Sequence, residues 1–250
     1  MCRFSWRGIL RGDTATLNRR ALRPDDWRAK AVAVKRLVPP SETTDGDGEM
    51  RWQQRKSAMT RESILKAATE CLVELGYSGL TTIEVTKRAA ISRGAMHHHF
   101  ANRTELVAAL IDFVLHRRLE FFLGEYLASL RDAEPSEAIR LATEMHWQSV
   151  LTPEYSAYLE LAMAARTDAE LAGLLVPATK AFDREWMDEM EKAFPQWDGR
   201  HEALHLASDF AAALHLGLLM NRPFLGDPER RSAVRQKLIA VVEQIYAEQG

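Results

Sequence analysis

The 250-residue chain is predicted to be all-α, with a short three-helix unit followed by a larger helical region. Apolar residues recur at three- and four-residue spacings in the long segments after residue 50, as they do in amphipathic helices. Ser, Thr, Asp or Asn stands before several of these segments, where it can cap a helix. No segment alternates polar and apolar residues over the length of a strand, and the chain contains no internal repeat.

The charge of the chain is divided unevenly between its two parts. Residues 1–103 contain 19 Lys and Arg against 11 Asp and Glu, a net of +8, whereas residues 104–250 contain 14 against 24, a net of −10. This division indicates a polyanionic partner for the N-terminal part alone. Cys2 and Cys71 are too few for a disulfide framework, which favours a reducing, cytoplasmic location. No run approaches the length of a membrane span and no secretory signal is recognisable, so no membrane partner is expected.

Residues 1–50 are predicted to be a disordered N-terminal extension, although a short helix over 25–37 is compatible with their sequence. Apolar residues are scattered, and Pro39 and Pro40 are followed by the Gly- and Asp-rich segment 41–48. Two interpretations stay open. The extension is a basic, mobile arm, or it precedes the native start, in which case Met50 or Met59 is the first residue.

The three-helix unit begins with a helix predicted over residues 52–75. One apolar stripe runs along it, formed by Ile64, Ala68, Cys71, Leu72 and Leu75. Gly76 is expected to end this helix with a left-handed cap. The second helix opens with a capping box of Thr81 and Glu84 and ends near residue 89. Ser92 is placed to cap a third helix over 93–99. The expected inner positions of the unit are Ile83, Val85, Ile91, Met96 and Phe100.

Further helices are predicted throughout the remainder of the chain. Asn102 and Glu105 repeat the capping pattern at the start of a long helix that extends to about residue 130. Later helices are expected over 135–150, 153–166, 168–194, 199–220 and 228–249. Thr152 with Pro153 and Asp227 with Pro228 mark two of the starts, and Pro177 is expected to break the helix that contains it.

A helix-turn-helix with these proportions lays its second helix in the DNA major groove. Arg93 can form paired hydrogen bonds with guanine, and the small Gly94 and Ala95 allow the backbone to approach the base edges. His97 and His98 complete the face expected in the groove. Phosphate contacts are expected from Thr81 and Thr82 at a helix N-terminus, and from residues flanking the recognition helix. The predicted DNA-binding residues are Thr81, Thr82, Arg93, Gly94, Ala95, His97, His98, His99 and Arg103.

These residues also carry a family resemblance. Residues 60–107 resemble the DNA-binding domain of the TetR/AcrR family of transcriptional regulators, in matching positions that include Ile64, Ala67, Ala68, Gly76, Tyr77, Thr81, Thr82, Ala89, Ser92, Gly94, His99, Phe100, Arg103 and Leu106. The segment 164–171 is similar to one found in some members. The chain departs from the pattern at Thr86, usually Ala, at Ala90, usually Gly, and at Met96, usually Leu or Ile. His97 replaces a Tyr that commonly contacts phosphate.

The resemblance implies a helix-turn-helix DNA-binding domain over 51–103 and a helical ligand-binding and dimerisation domain over 104–250. It implies a homodimer that represses transcription from an inverted-repeat (palindromic) operator and is released by a small hydrophobic or amphipathic ligand. The last two helices would form the dimer interface, or would simply pack inside one subunit, through a stripe comprising Leu204, Ala207, Phe210, Ala211, Leu214, Leu218, Val234, Leu238, Val241, Val242 and Ile245.

Aromatic and Met side chains of the middle helices suit an adaptable ligand pocket, although plain core packing explains any single one of them equally well. The pocket residues predicted are Phe122, Tyr126, Met145, Trp147, Tyr158, Met163 and Trp186. The acidic composition of this part of the chain is compatible with a ligand that carries positive charge.

Two other functions compete with a ligand-released repressor. A zinc hydrolase would use His201, Glu202 and His205, which match the pattern H-E-x-x-H, but the motif stands at a helix start and has no obvious third ligand. The second is a protein of the same fold that is either an adaptor that does not bind DNA or a regulator that binds no ligand. The three consecutive histidines at 97–99 point about 100° apart and cannot share one metal ion. No catalytic residue, metal site or cofactor is therefore expected.

Overall fold

The structure, a computed structural model, describes residues 45–131, 133–193, 199–224 and 227–248. These residues form helices and short connections, with no strand among them, as the all-α prediction requires. The predicted N-terminal extension lies outside the described residues except for 45–50, which are helical. The helix predicted over 25–37 also lies outside them.

The N-terminal unit contains three helices: α1 (Asp45–Gly79), α2 (Thr82–Arg88) and α3 (Arg93–His99). Helix α1 begins seven residues before the predicted start at residue 52. It is kinked at Gly76, whose φ of 68° and ψ of 179° belong to a region of backbone conformation that is essentially restricted to glycine. The positive φ expected at this position is therefore present, although ψ differs from that of a left-handed helical cap. The second and third helices have nearly the predicted bounds.

The next element is interrupted where the sequence pattern predicts one continuous helix. Helix α4 (Arg103–Phe121) leads into a π-helical turn (Phe122–Tyr126) and then into α5 (Leu127–Arg131). A π-helical turn holds one more residue than an α-helical turn and is frequent at functional sites. Phe122 and Tyr126, the first and last residues of this turn, are both buried.

The remaining helices are α6 (Pro135–Val150), α7 (Pro153–Ala165), α8 (Ala169–Ala193), α9 (His201–Met220) and α10 (Pro228–Glu248). Their bounds agree with the predictions, but the break expected at Pro177 is wrong because α8 continues through this residue. Pro177 has no backbone N–H, so the carbonyl of Gly173 loses its helical hydrogen-bond donor. Both residues are on the exposed side of the helix. Water can satisfy that carbonyl, so the proline is accommodated without ending the helix.

One continuous hydrophobic core joins the N-terminal unit to the helices that follow it. It includes Ile64 of α1, Met96 of α3, Leu110 of α4, Leu161 of α7 and Leu171 of α8. Cys71, expected to be a small core residue, is fully buried in it. A smaller cluster contains Trp147, Val150, Tyr155 and Leu218. Helix α7 packs closely on both α1 and α4, so it links the N-terminal unit to the C-terminal helices.

Two apolar residues expected in the core of the N-terminal unit are exposed to solvent. Leu75 is 45% exposed and Ile83 is 62% exposed. The kink at Gly76 folds the chain back against Leu75, so that a Cβ atom added to Gly79 would lie 2.5 Å from that of Leu75. In the short α2, the N-cap at Thr81 sets the phase of the helix and turns Val85 inward instead of Ile83.

Helix α9 has two apolar faces. It is long and apolar enough to cross a membrane by length and composition alone, contrary to the prediction that no such run exists. One face packs against α6 and α10 within the chain. Leu204, Ala207 and Leu218, assigned to the dimer interface from the sequence, are buried on this inner face, as are Leu238 and Val242 of α10. A second stripe remains largely exposed and consists of Leu206, Phe210, Ala213, Gly217 and Met220.

Candidate functional site

Helix α3 presents a polar face to solvent and an apolar face to the core. Met96 and Phe100 are 2% and 1% exposed, as expected from their i,i+4 spacing. Arg93, Gly94, His97 and His98 are exposed, whereas Ala95 and His99 are half-buried. Thr81, at the N-terminus of α2, is also exposed and Thr82 is half-buried. The residues predicted for base contact therefore share one accessible surface.

Local hydrogen bonds set the position of this helix. The Ser92 hydroxyl accepts from the backbone N–H of Ala95 at 3.1 Å, which confirms the predicted N-cap. Thr81 accepts likewise from the N–H of Glu84 at 3.1 Å. The carboxylate of Glu84 bonds to Arg88 rather than returning to the backbone, so only half of the predicted capping box is formed. In the turn between α2 and α3, Ala90 has a φ of 51°, as its replacement of the family's Gly indicates.

Two arginines hold the ends of α3 and α4. Arg61 donates to the carbonyl of His99 at 3.1 Å, and its guanidinium lies 4.2 Å from the ring centroid of Phe100. Arg103 donates to the carbonyl of Leu80 and to both oxygens of Tyr77, at 3.1 to 3.3 Å, and lies over the Tyr77 ring. This role in the fold is not foreseen from the sequence, although Tyr77 and Arg103 both belong to the motif. The phosphate contact assigned to Arg103 stays a prediction.

The histidine-rich end of α3 is not uniform. The rings of His98 and His99 meet edge to face, with centroids 5.3 Å apart. Burial lowers the pKa of His99, and the charges of His98 and Arg61 lower it further. The neutral form of His99 is therefore favoured in the free protein. Within the described ranges, no three potential metal ligands converge.

A cavity of about 610 Å³ lies among α4, α6, α7, α8 and α9. Of the predicted pocket residues, Tyr126, Tyr158 and Trp186 line it. Phe122 lies behind the wall, stacked on Trp186 with ring centroids 3.7 Å apart. The cavity therefore occupies the predicted region of the chain, between the middle helices.

Three of the predicted pocket residues do not line the cavity. Met163 is 51% exposed on the outer face of α7, Trp147 packs in the smaller hydrophobic cluster, and Met145 is half-buried away from the cavity wall. Successive residues of a helix point about 100° apart. Because His146 lines the cavity, its neighbours on both sides are turned away from it.

The basic residues Arg118 and His146 line the cavity and are not among the pocket residues predicted above. The guanidinium of Arg118 lies against three aromatic rings. His146 Nδ1 lies 2.7 Å from Nδ1 of His215, which is fully buried. Burial lowers the pKa of His146 to about 3 and that of His215 to about 4. No spacing rule connects residues 118, 146 and 215, so only the folded chain brings them together.

The H-E-x-x-H segment does not form a metal centre within the described residues. His201 and His205 are exposed at the start of α9. The carboxylate of Glu191 lies 2.9 Å from Nδ1 of His201 and 3.9 Å from Nε2 of His205, in a surface ion-pair arrangement. The geometry does not favour the hydrolase alternative.

Residues 64–110 match the profile described as bacterial regulatory proteins of the tetR family. This segment of the chain matches the TetR family. An uncharacterised HTH-type transcriptional regulator of Mycobacterium tuberculosis, Rv2912c, is 32% identical to this chain over 123 residues, which are 48% of the chain and 60% of that relative. The HTH-type transcriptional regulator CymR of Pseudomonas putida is 24% identical over 201 residues, 79% of this chain and 96% of CymR.

A solved structure supports the fold over three quarters of the chain. A TetR-family transcriptional regulator from a Rhodococcus species superposes with a TM-score of 0.55 at 18% identity, over 75% of this chain and 99% of that one. The matched proteins are transcriptional regulators rather than enzymes. The TetR-family match begins within α1 and ends within α4, so it includes the exposed face of α3. The cavity lies mostly in helices beyond that match.

Proposed function

We propose that the chain is a cytoplasmic, homodimeric transcriptional repressor that binds an inverted-repeat operator and releases it when a small ligand enters the cavity. The observation that carries this proposal is the exposed face of α3. Arg93, Gly94, His97 and His98 are accessible, while Met96 fixes the opposite face in the core. A helix held in this way can enter the major groove without rearrangement.

The DNA contacts follow from this surface. Arg93 would read guanine, with Gly94 and Ala95 allowing close approach, and each paired contact contributes about 1–3 kcal/mol of discrimination. Thr81, Thr82, His97, His99 and Arg103 would contact phosphates on both sides of the groove, and His98 would lie near a base edge. The pKa of His99 is lowered in the free protein, but a nearby phosphate would favour the charged imidazolium, so DNA binding would be coupled to uptake of a proton from solvent.

A dimer is supported by the exposed stripe of α9. Leu206, Phe210 and Met220 are each more than 40% exposed on one helix face, and Gly217 beside them leaves room for a close approach. Pairing this stripe with its copy would bury it. It would also present two α3 helices to successive major grooves, roughly 34 Å apart on DNA.

Release by a ligand is supported by the position of α4. This helix begins directly after α3 and ends at the cavity, where it packs against α7 and α8. Thr104, at its start, donates to Glu170 of α8 at 2.8 Å. A ligand that binds better when α4 is displaced would shift the separation of the two α3 helices and favour the DNA-free state.

DNA binding is tested by selecting bound fragments from genomic DNA, followed by titration of the selected operator. We expect an inverted repeat, and we expect Arg93→Ala to reduce discrimination at one base position of each half-site by about 1–3 kcal/mol. Arg166→Ala is the matched control because this arginine is exposed outside the predicted contacts. A chain that binds no duplex in preference to bulk competitor contradicts the proposal.

A pH titration of the same complex tests the histidines. Protonated histidines attract phosphate, so operator affinity should increase from pH 8 to pH 6 at constant salt. A constant affinity over this range contradicts the predicted roles of the three histidines but leaves base reading by Arg93 intact.

A regulator that needs no ligand is recognised by operator binding that no cavity ligand alters. A crystal structure of a ligand complex with unchanged α3 separation excludes the release mechanism.

A further inference from the structure

The wall of the cavity contains a guanidinium with no anionic partner among the described residues. Arg118 lies where α4, α7 and α8 converge, with its Cζ atom 4.8, 4.3 and 4.6 Å from the ring centroids of Tyr155, Tyr158 and Phe182. The faces of these rings attract the planar cation, but they are not strong hydrogen-bond acceptors. They leave its five N–H donors, which lie in the plane, without a strong acceptor. Within the described ranges, neither a hydrogen bond nor an ion pair supplies one.

The acidic residues around the cavity do not neutralise this charge. Four of them are exposed, as expected for the rim of an opening: Glu120, Glu125, Asp183 and Asp209. Glu154 and Glu120 instead face Arg117, at 3.9 and 2.8 Å. Burial lowers the pKa of Arg118, as expected for a cation that has lost its water without gaining an anion. The rim is therefore acidic, but the desolvated charge inside is positive.

His146, whose ring lines the cavity, supplies a second hydrogen-bond donor, and the buried His215 decides which of its nitrogens carries the proton. Nε2 of the buried His215 has no partner in the described part of the chain. An unpaired buried acceptor is less costly than an unpaired buried N–H. The favoured tautomer therefore has His215 Nδ1–H donating to His146 Nδ1, which leaves the proton of His146 on Nε2. The His146 ring lines the cavity, and the charge of Arg118 contributes to its lowered pKa, so the two donors share one electrostatic environment.

We propose that the cavity takes an amphipathic carboxylate, whose anionic group pairs with Arg118 and accepts from Nε2–H of His146. Its apolar body would lie against Trp186, Met187 and Met190, which line the cavity. This inference rests on the proposed function because it names the class of ligand that releases the operator. Arg118 stands on α4, fifteen residues or about 22 Å from Arg103. The ligand would thus pull on the helix that leads to α3.

The test uses the full chain without DNA and three probes that share one ring system: 2-naphthoate, 2-naphthamide and 2-naphthylmethylammonium. Binding is measured by isothermal titration calorimetry at pH 7.5. We expect the carboxylate to bind at least tenfold more tightly than the amide, because an ion pair with Arg118 replaces a hydrogen bond from Arg118 to a neutral carbonyl. The ammonium should bind more weakly than the amide. This comparison needs no variant, so it holds even if a substitution at Arg118 prevents folding.

Variants then assign the preference to Arg118. Arg118→Gln should bring the carboxylate and the amide to within about threefold of each other, whereas Arg118→Lys should keep part of the preference, since Lys retains charge without the planar fork. Arg117→Gln is the matched control. Its side chain also lines the cavity, but it is 46% exposed and already paired with Glu120. We expect this variant to retain the full preference.

Three outcomes overturn the inference: no binding of 2-naphthoate, equal binding of carboxylate and amide, or an unchanged preference in folded Arg118→Gln. Operator binding without carboxylate binding refutes the ligand class and leaves the proposed regulator intact. Carboxylate binding that does not weaken a measured operator complex supports the ligand class and refutes the release mechanism. The two proposals therefore fail in different experiments.

Discussion

Ala90 is a single residue at which the chain retains a local conformational cost. It has a φ of 51° in the turn between α2 and α3, a conformation that costs a residue with a Cβ atom about 1 kcal/mol or more relative to glycine. We expect Ala90→Gly to raise the free energy of unfolding by about 1 kcal/mol, measured by urea denaturation. Ala58→Gly is the control, because position 58 is exposed within α1 and should lose about as much. Equal destabilisation by both substitutions would exclude strain at Ala90.

The buried histidine pair makes stability depend on pH. Because the pKa values of His146 and His215 in the folded chain lie below that of a free histidine, the unfolded chain binds more protons below about pH 6.5. Above about pH 6.5 the pair does not lower the free energy of unfolding, and below it the free energy of unfolding decreases as the pH falls. Each histidine should contribute about 1.4 kcal/mol of destabilisation at pH 5.5, about 3 kcal/mol for the pair.

Urea denaturation at pH 7.5 and 5.5 measures this dependence. Replacing both histidines by glutamine should remove about 3 kcal/mol of the difference between the two pH values, since glutamine does not titrate. Other titrating groups act equally in both proteins, so they cancel in the comparison. An identical pH dependence would mean that these histidines are protonated in the folded chain.

At the scale of elements, the junction of α1 and α2 depends on one glycine. Gly76 has a φ of 68° and a ψ of 179°, and a Cβ atom there would lie 3.2 Å from a carboxylate oxygen of Glu160 on α7. Gly76→Ala should therefore lower the free energy of unfolding by about 1–3 kcal/mol, measured by thermal or urea denaturation. The helix-turn-helix should loosen at the same time, because the kink directs the chain from α1 into α2.

A second glycine provides the control for this prediction. Gly173 lies within α8, and a Cβ atom added to it meets nothing within 4 Å. Gly173→Ala should stabilise the chain by about 0.5–1 kcal/mol, since alanine favours the helix. The same substitution thus has opposite signs at two positions. Stabilisation at both would show that the kink at Gly76 is relaxed in solution.

At the scale of the whole molecule, the exposed stripe of α9 predicts self-association. Phe210 is 43% exposed at its centre, and a carboxylate placed there would be buried without a partner in a dimer. Phe210→Asp should raise the dimer dissociation constant about 100-fold, which corresponds to about 2.7 kcal/mol. Analytical ultracentrifugation measures this constant, and operator affinity should fall in parallel because two half-sites are no longer bound together.

Met163→Asp is the control for this experiment. Met163 is 51% exposed on α7, outside the stripe, so a charge there should leave the dissociation constant unchanged. Dimers that persist in Phe210→Asp would mean that the dimer interface lies on another face of the molecule. A wild-type chain that is monomeric at all concentrations would remove the dimer from the proposal.

Local sequence determined most of the helices and their starts. Ser92, Asn102 and Thr152 each accept a backbone N–H three residues ahead, and these caps depend only on residues within one turn. The face of α3 was predictable for the same reason, because Met96 and Phe100 lie one turn apart and Arg93 lies on the opposite side. The family and the candidate DNA surface follow from this short segment.

Only the tertiary structure decided which apolar side chains are inside and which polar groups meet. Leu75 and Ile83 fit inward positions by spacing, and Met163 suits the pocket by its residue type, yet all three are exposed because the neighbouring helices pack on other faces. Arg118, His146 and His215 come from three separate helices, and their contacts depend on how those helices pack. The helical period of apolar residues defines one face of a helix. That face is buried only if a second helix packs against it. Because the second helix is distant along the chain, the residues near the first helix do not indicate whether it is there.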